Sequence, residues 1–211
     1  MQAVHVTTAF ANGLFMSLVL IVAIGAQNAY VLRQGLRREH VGAVVLFCAA
    51  SDAVLIGAGV AGMAQALKGR PMLATVLAAL GAAFLCGYGL KALWRSRQPA
   101  ALRATAQGVS VSRAAVVAQA AGFTLLNPHV YLDTVLLVGS AGAQYAGLLK
   151  VWFVAGATVA SVLWFTSLGF GARLLAPVFA RPRAWQMLDA LVGGTMLVLA
   201  AMLARRAVLG G

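Results

Sequence analysis

Apolar stretches of about twenty residues recur along the whole chain, each long enough to cross the hydrocarbon core of a bilayer as a helix. They read at residues 8–32, 41–67, 72–94, 114–138, 148–168 and 185–203. Inside lipid no water can satisfy backbone N–H and C=O groups, so such segments must be helical. The expected fold is therefore all-α, a polytopic membrane helix bundle of about six transmembrane helices. Only 9% of the 211 residues are charged, against about 25% in soluble domains, so no attached soluble domain is expected. Residues 1–211 read as a single membrane domain. Residues 1–10 carry no Lys or Arg, so the first apolar run reads as a mature span and not as a signal peptide.

The formal net charge of +12 would suggest nucleic acid in a soluble protein. Here it arises because Asp and Glu number only 4 against 16 Lys and Arg, and the basic residues sit in short clusters between apolar runs. That pattern argues against nucleic acid and for topology signals in contact with anionic lipid. The first connection carries Arg33, Arg37 and Arg38; the third carries Arg95, Arg97, Arg103 and Arg113; the fifth carries Arg173, Arg181 and Arg183. The other side holds Lys68, Arg70, Lys150, Arg205 and Arg206. Counting these places the odd connections in the cytoplasm and both termini outside a bacterial-type inner membrane. A re-entrant first segment would instead leave five full crossings and a cytoplasmic N-terminus. Trp94, Trp152 and Trp185 lie near span ends, where interfacial indoles are expected. Cys48 and Cys86 read as small buried hydrophobes.

In a membrane the informative residues are those that lipid penalises. A carboxylate near mid-bilayer costs at least about 2.5–3.5 kcal/mol, so it faces a cavity or a partner. Asp52 and Asp133 fall well inside spans, whereas Glu39 reads as a solvated partner of Arg37 and Arg38, and Asp189 as an interfacial, structural acid. The first span contains Ile24-Gly25-Ala26-Gln27-Asn28, two successive amides after a glycine. The fourth contains Asn127-Pro128-His129-Val130-Tyr131-Leu132-Asp133, where Pro128 removes a backbone donor and puts its ring against the carbonyl of Thr124. A helix after that proline puts His129 and Asp133 on one face. The two interruptions occupy matching places in two halves, about 1–97 and 110–211, with Asn28 aligned to Asn127. Interrupted helices at matching positions of a 3+3 inverted repeat point to a transporter's binding site. The chain shows no phosphate loop, metal cluster or nucleophile–base pair, so neither an enzyme nor an ATP-driven pump is expected, and no cofactor.

At these residues the chain resembles the lysine/arginine exporter family of LysE type. The stretches that carry the resemblance are 25–40 (GAQNAYVLRQGLRREH), 51–56 (SDAVLI) and 126–134 (LNPHVYLDT). Neutral amino-acid exporters of the same superfamily usually show Pro-Gly-Pro where this chain has Ile24-Gly25-Ala26. The resemblance implies a secondary transporter that exports L-lysine or L-arginine from the cytoplasm, driven by the membrane potential or the proton gradient. On that reading Asp52 and Asp133 share cation recognition and proton exchange. Gln27, Asn28 and Asn127, with freed backbone groups and His129 nearby, hold the ends of the amino acid. The alternatives are an exporter of a neutral amino acid or a metal cation, a passive amino-acid channel, and a membrane scaffold without transport. A homodimer is compatible with so small a bundle.

Overall fold

A computed structural model describes residues 2–22, 25–63, 71–97, 111–127, 130–179 and 181–209. They are overwhelmingly helical. Helix α1 is Gln2–Ile21, α2 is Ala26–Arg37, and α3 is Val41–Ala58 with a wider π-helical turn at Gly59–Met63. Helix α4 is Pro71–Ser96 and α5 is Arg113–Leu125. A π-helical segment, Tyr131–Val138, runs on into α6, Gly139–Ala143. Helix α7 is Leu148–Gly171, followed by a 3-10 turn at Ala172–Leu175, the short α8 at Ala176–Phe179, and α9 at Pro182–Leu209. By length and apolar character, four helical stretches qualify as spans among the described residues: Val4–Ile21, Val41–Gly62, Leu148–Leu175 and Arg183–Arg205. The 26 residues of α4 reach about 39 Å and cover the same depth.

Contacts between helices fix the direction of each passage. Asn28 meets Trp164 and Gly35 lies on Gly169, so α2 runs parallel to α7. Asp52 meets Ser161 while Val41 and Val45 lie on Gly169, so α3 runs against α7. His40 reaches Val111 and Gly59 lies on Val135 and Gly139, so α3 runs parallel to the fourth passage. Arg95 meets Asp189 and Gly89 lies on Gly193 and Leu197, so α4 and α9 are antiparallel. Six passages result among the described residues, the first made of α1 with α2 and the fourth of α5, the π segment and α6. The flanks of connections one, three and five gather at one end of the bundle. Asn12, Tyr145, Val60 and Gly142 mark the other end. The two expected interruptions are thus real breaks within single passages, and the first does not turn back as a re-entrant segment.

Two packing devices hold the passages together. Where α1 crosses α7, Gly13 and Gly156 let the backbones touch: a Cβ on Gly13 would fall on the carbonyl of Phe153, and one on Gly156 on the carbonyl of Phe10. Close approach at small residues is how helices gain contact where lipid supplies no hydrophobic drive. The second device is aromatic. Phe123 of α5 meets Tyr30 of α2 tilted at 4.9 Å, and Phe84 and Tyr88 of α4 edge-to-face at 5.0 and 4.6 Å.

Three ion pairs lie at the gathered end. Arg37 meets Glu39 at 3.0 Å, as the sequence suggests. Arg33, counted above with the first connection, instead lies on the buried face of α2 and pairs with Asp189 of α9 at 3.4 Å. Arg95 of α4 lies 3.6 Å from the same carboxylate oxygen and over the ring of Tyr88. Asp189 is therefore structural, and it ties α2 to the α4–α9 pair.

Gly156→Val drives a branched side chain into the α1 backbone and should cost at least about 1–3 kcal/mol. Gly57, where a Cβ meets nothing within 4 Å, should accept alanine at no cost. Thermal unfolding of both variants in detergent checks the pair: the first loses its transition or falls well below wild type, and the second matches or exceeds it.

Candidate functional site

Both breaks open onto one cavity of about 240 Å³ in the bundle interior. That is below the usual range for drug-sized ligands and suits a smaller metabolite. Its walls come from the end of α1, the start of α2, the middle of α3, the second break with its π segment, and single residues of α7 and α9. Gly25, Gln27, Asn28, Asp52, Asn127 and Asp133 all line it. Six residues singled out from sequence, from three separate segments, thus share one space. Pro128 and His129 lie outside the described residues.

The first break is built around Asn28. Helix α1 ends at Ile21, and the carbonyls of its last turn lose their helical partners. The Asn28 Nδ2 donates to the Ile21 carbonyl at 2.6 Å, and the Trp164 indole N–H donates to Asn28 Oδ1 at 3.2 Å. One amide thereby closes the end of α1 and fastens α2 to α7. Gly25 precedes α2 in extended conformation and caps it with no side chain. The first N–H groups of α2 are left without helical acceptors, at the positive end of the helix dipole, beside the cavity. Ser17 Oγ and Gln27 Nε2, also at the cavity, are buried without a hydrogen-bond partner among the described residues.

The second break follows the same logic with other residues. Helix α5 ends at Leu125, whose carbonyl accepts the Tyr131 hydroxyl at 2.9 Å. The Asn127 carbonyl accepts the Val130 N–H at 3.1 Å and restarts the helix. The Thr134 hydroxyl bonds the Val130 carbonyl. The restart is π-helical over Tyr131–Val138, a wide winding often found at functional sites, and it carries Asp133 to the cavity wall.

Asp52 is 4% exposed, and its Oδ2 accepts the Ser161 hydroxyl at 2.8 Å. A buried carboxylate with a neutral partner is short of compensation, and a proton or a cation supplies what is missing. Ser17, Ser161 and Trp164 were not identified from sequence. Lone serines in apolar spans are common, because each can bond its own helix. Among the described residues no three His, Cys, Asp or Glu side chains converge on one point.

Residues 18–207 match the family described as LysE type translocator. The chain belongs to that family. The match spans both breaks and every lining residue except Ser17, the first residue outside it. The provisionally named amino-acid transporter YggA of Aeromonas salmonicida is 44% identical over 201 residues, covering 94% of this chain and 96% of that protein. The provisionally named amino-acid transporter Mb0498 of Mycobacterium bovis is 47% identical over 180 residues, 85% of this chain and 89% of that one. Arginine exporter protein ArgO of Yersinia enterocolitica is 39% identical over 201 residues, 93% and 96% of the two. No solved structure matches. This LysE type translocator is a multi-pass inner-membrane protein and not an enzyme.

Replacing Asn28 by leucine removes the partner of the Ile21 carbonyl and should destabilise the translocator by about 1–3 kcal/mol. Trp164→Phe should cost less, about 0.5–1.5 kcal/mol. Both changes act on the same amide, so the double variant should lose less than the sum, as a double-mutant cycle of unfolding free energies in detergent will read.

Proposed function

We propose that this translocator exports basic L-amino acids, lysine and arginine, from the cytoplasm, driven by the membrane potential or the proton gradient. Family membership and relatives named as an arginine exporter and as amino-acid transporters support amino-acid export. The observation that carries the basic substrate is the cavity itself: two aspartates and the amino end of a half-helix share one small space. A basic amino acid presents two cations and one carboxylate, and each has a complement here. The α-carboxylate goes to the start of α2, where the positive end of the helix dipole favours an anion. Gln27 and Asn127 flank it, with Asn28 holding the break in shape. Asp52 and Asp133 take the side-chain cation and the α-amino group. Between substrates, a proton on a carboxylate replaces the departing cation, which couples export to the gradient.

The end where Arg37, Arg38, Arg95 and Arg97 gather is the cytoplasmic one, by the excess of positive charge there. Alternating access then requires the walls on either side of the cavity to close in turn around a fixed site.

The test is efflux from cells lacking their own basic-amino-acid exporter and loaded with lysine- or arginine-containing dipeptides. Wild type should move both amino acids uphill, and an uncoupler should stop it. Asp52→Asn should lose roughly tenfold or more of that efflux at equal membrane content, whereas Glu39→Gln should not. Undiminished uphill efflux by Asp52→Asn would remove Asp52 from the site.

A further inference from the structure

The Ser161 hydroxyl is spent in an unusual way. A serine inside a helix ordinarily bonds a carbonyl of its own preceding turn. Ser161 of α7 instead reaches across to α3 and donates to Oδ2 of Asp52 at 2.8 Å, with both residues almost fully buried. The other oxygen, Oδ1, has no hydrogen-bond partner among the described residues, and Asp52 lines the cavity. The carboxylate therefore meets the cavity with one oxygen already engaged.

That asymmetry matters for which cation it suits. An ammonium group is a compact point charge with three rotatable donors and needs only one oxygen. A guanidinium is planar, and its strongest contact with a carboxylate is bidentate, two parallel N–H···O bonds with one on each oxygen. We propose that Ser161 is a specificity-determining residue: by donating to Oδ2 of Asp52 it takes one acceptor site of that oxygen and weakens it for a second N–H, which weights transport toward the ammonium end of lysine over the guanidinium end of arginine. The inference rests on the reading that Asp52 binds the substrate cation. Removing the hydroxyl leaves both acceptor sites of Oδ2 to the substrate and shifts the balance toward arginine.

The readout is a ratio within one protein, so expression level cancels. Purified protein in proteoliposomes, loaded with equal lysine and arginine, gives the two initial rates together and the apparent KM for each. Ser161→Ala should raise the arginine-to-lysine ratio by roughly threefold or more, mainly through a lower KM for arginine, whose second N–H then meets an uncommitted oxygen. Ser161→Cys keeps the volume but donates weakly, so its ratio should lie between those of wild type and the alanine variant. If the alanine variant does not accumulate, the cysteine variant carries the test alone. A ratio unchanged from wild type in the variants that transport, or shifted toward lysine, overturns the proposal while leaving the basic-amino-acid reading intact. Retention of wild-type lysine and arginine transport by Asp52→Asn overturns the reading of the site itself, and this proposal with it.

Discussion

A helix cannot simply stop in a membrane. Every backbone group it frees must find a partner inside the protein, because hydrocarbon offers none. This chain stops twice at depth, after Ile21 and after Leu125, and each time a side chain a few residues further on answers the freed carbonyl. Asn28 does so in the first passage and Tyr131 in the second, by an amide and a phenol. Once the breaks are affordable, the amino end of α2 and the wide turn of the π segment can face inward. The cavity, with its aspartates and amides, is a consequence of those two closures.

Helix α2 shows how much hangs on one short element. Twelve residues would not hold a helix in isolation. It is secured along its whole length instead: Asn28 to Ile21 and Trp164, Tyr30 to the Val116 carbonyl at 2.9 Å and to the ring of Phe123, Arg33 to Asp189, and Gly35 to the backbone of Gly169. These contacts reach α1, α5, α7 and α9, so a change at any of them acts on the start of α2 at the cavity. The left-handed Arg38, bonded back to Gln34 and Gly35, then turns the chain into α3 and brings Asp52 up beside it.

What could be read in the sequence follows the same energetics. Asp52, Asp133, Gln27, Asn28 and Asn127 stood out because each is expensive in lipid, and an expensive residue needs a reason. The structure puts all of them on one cavity. Ser17 and Ser161 are cheap residues, and nothing in the chain distinguishes a serine that bonds its own helix from one that crosses to a carboxylate. Arg33 looked like one more topology charge because its partner, Asp189, lies at the far end of the sequence. Glycines show the limit plainly. Gly59 and Gly89 sit at close crossings while Gly57 and Gly87 face open space, and only the direction of each helix face separates them. Helix α1 ends at Ile21 and α2 already carries both amides, because Asn28 acts from the start of that next helix.

The distribution of negative charge is the last constraint. Four acids serve sixteen basic residues, and two of them, Glu39 and Asp189, are held by arginines at the charged end of the bundle. Asp52 sits deep beside a neutral hydroxyl. In such surroundings a carboxylate is stable with a proton on it or with a cation opposite it, and both cannot occupy it at once. On the proposed reading, this mutual exclusion is what makes Asp52 an exchange site: arrival of the cation releases the proton, and return of the proton releases the cation. A matched arginine at this position would satisfy the charge permanently and leave nothing to exchange. Keeping the arginines at the end of the bundle and a serine beside Asp52 preserves that choice.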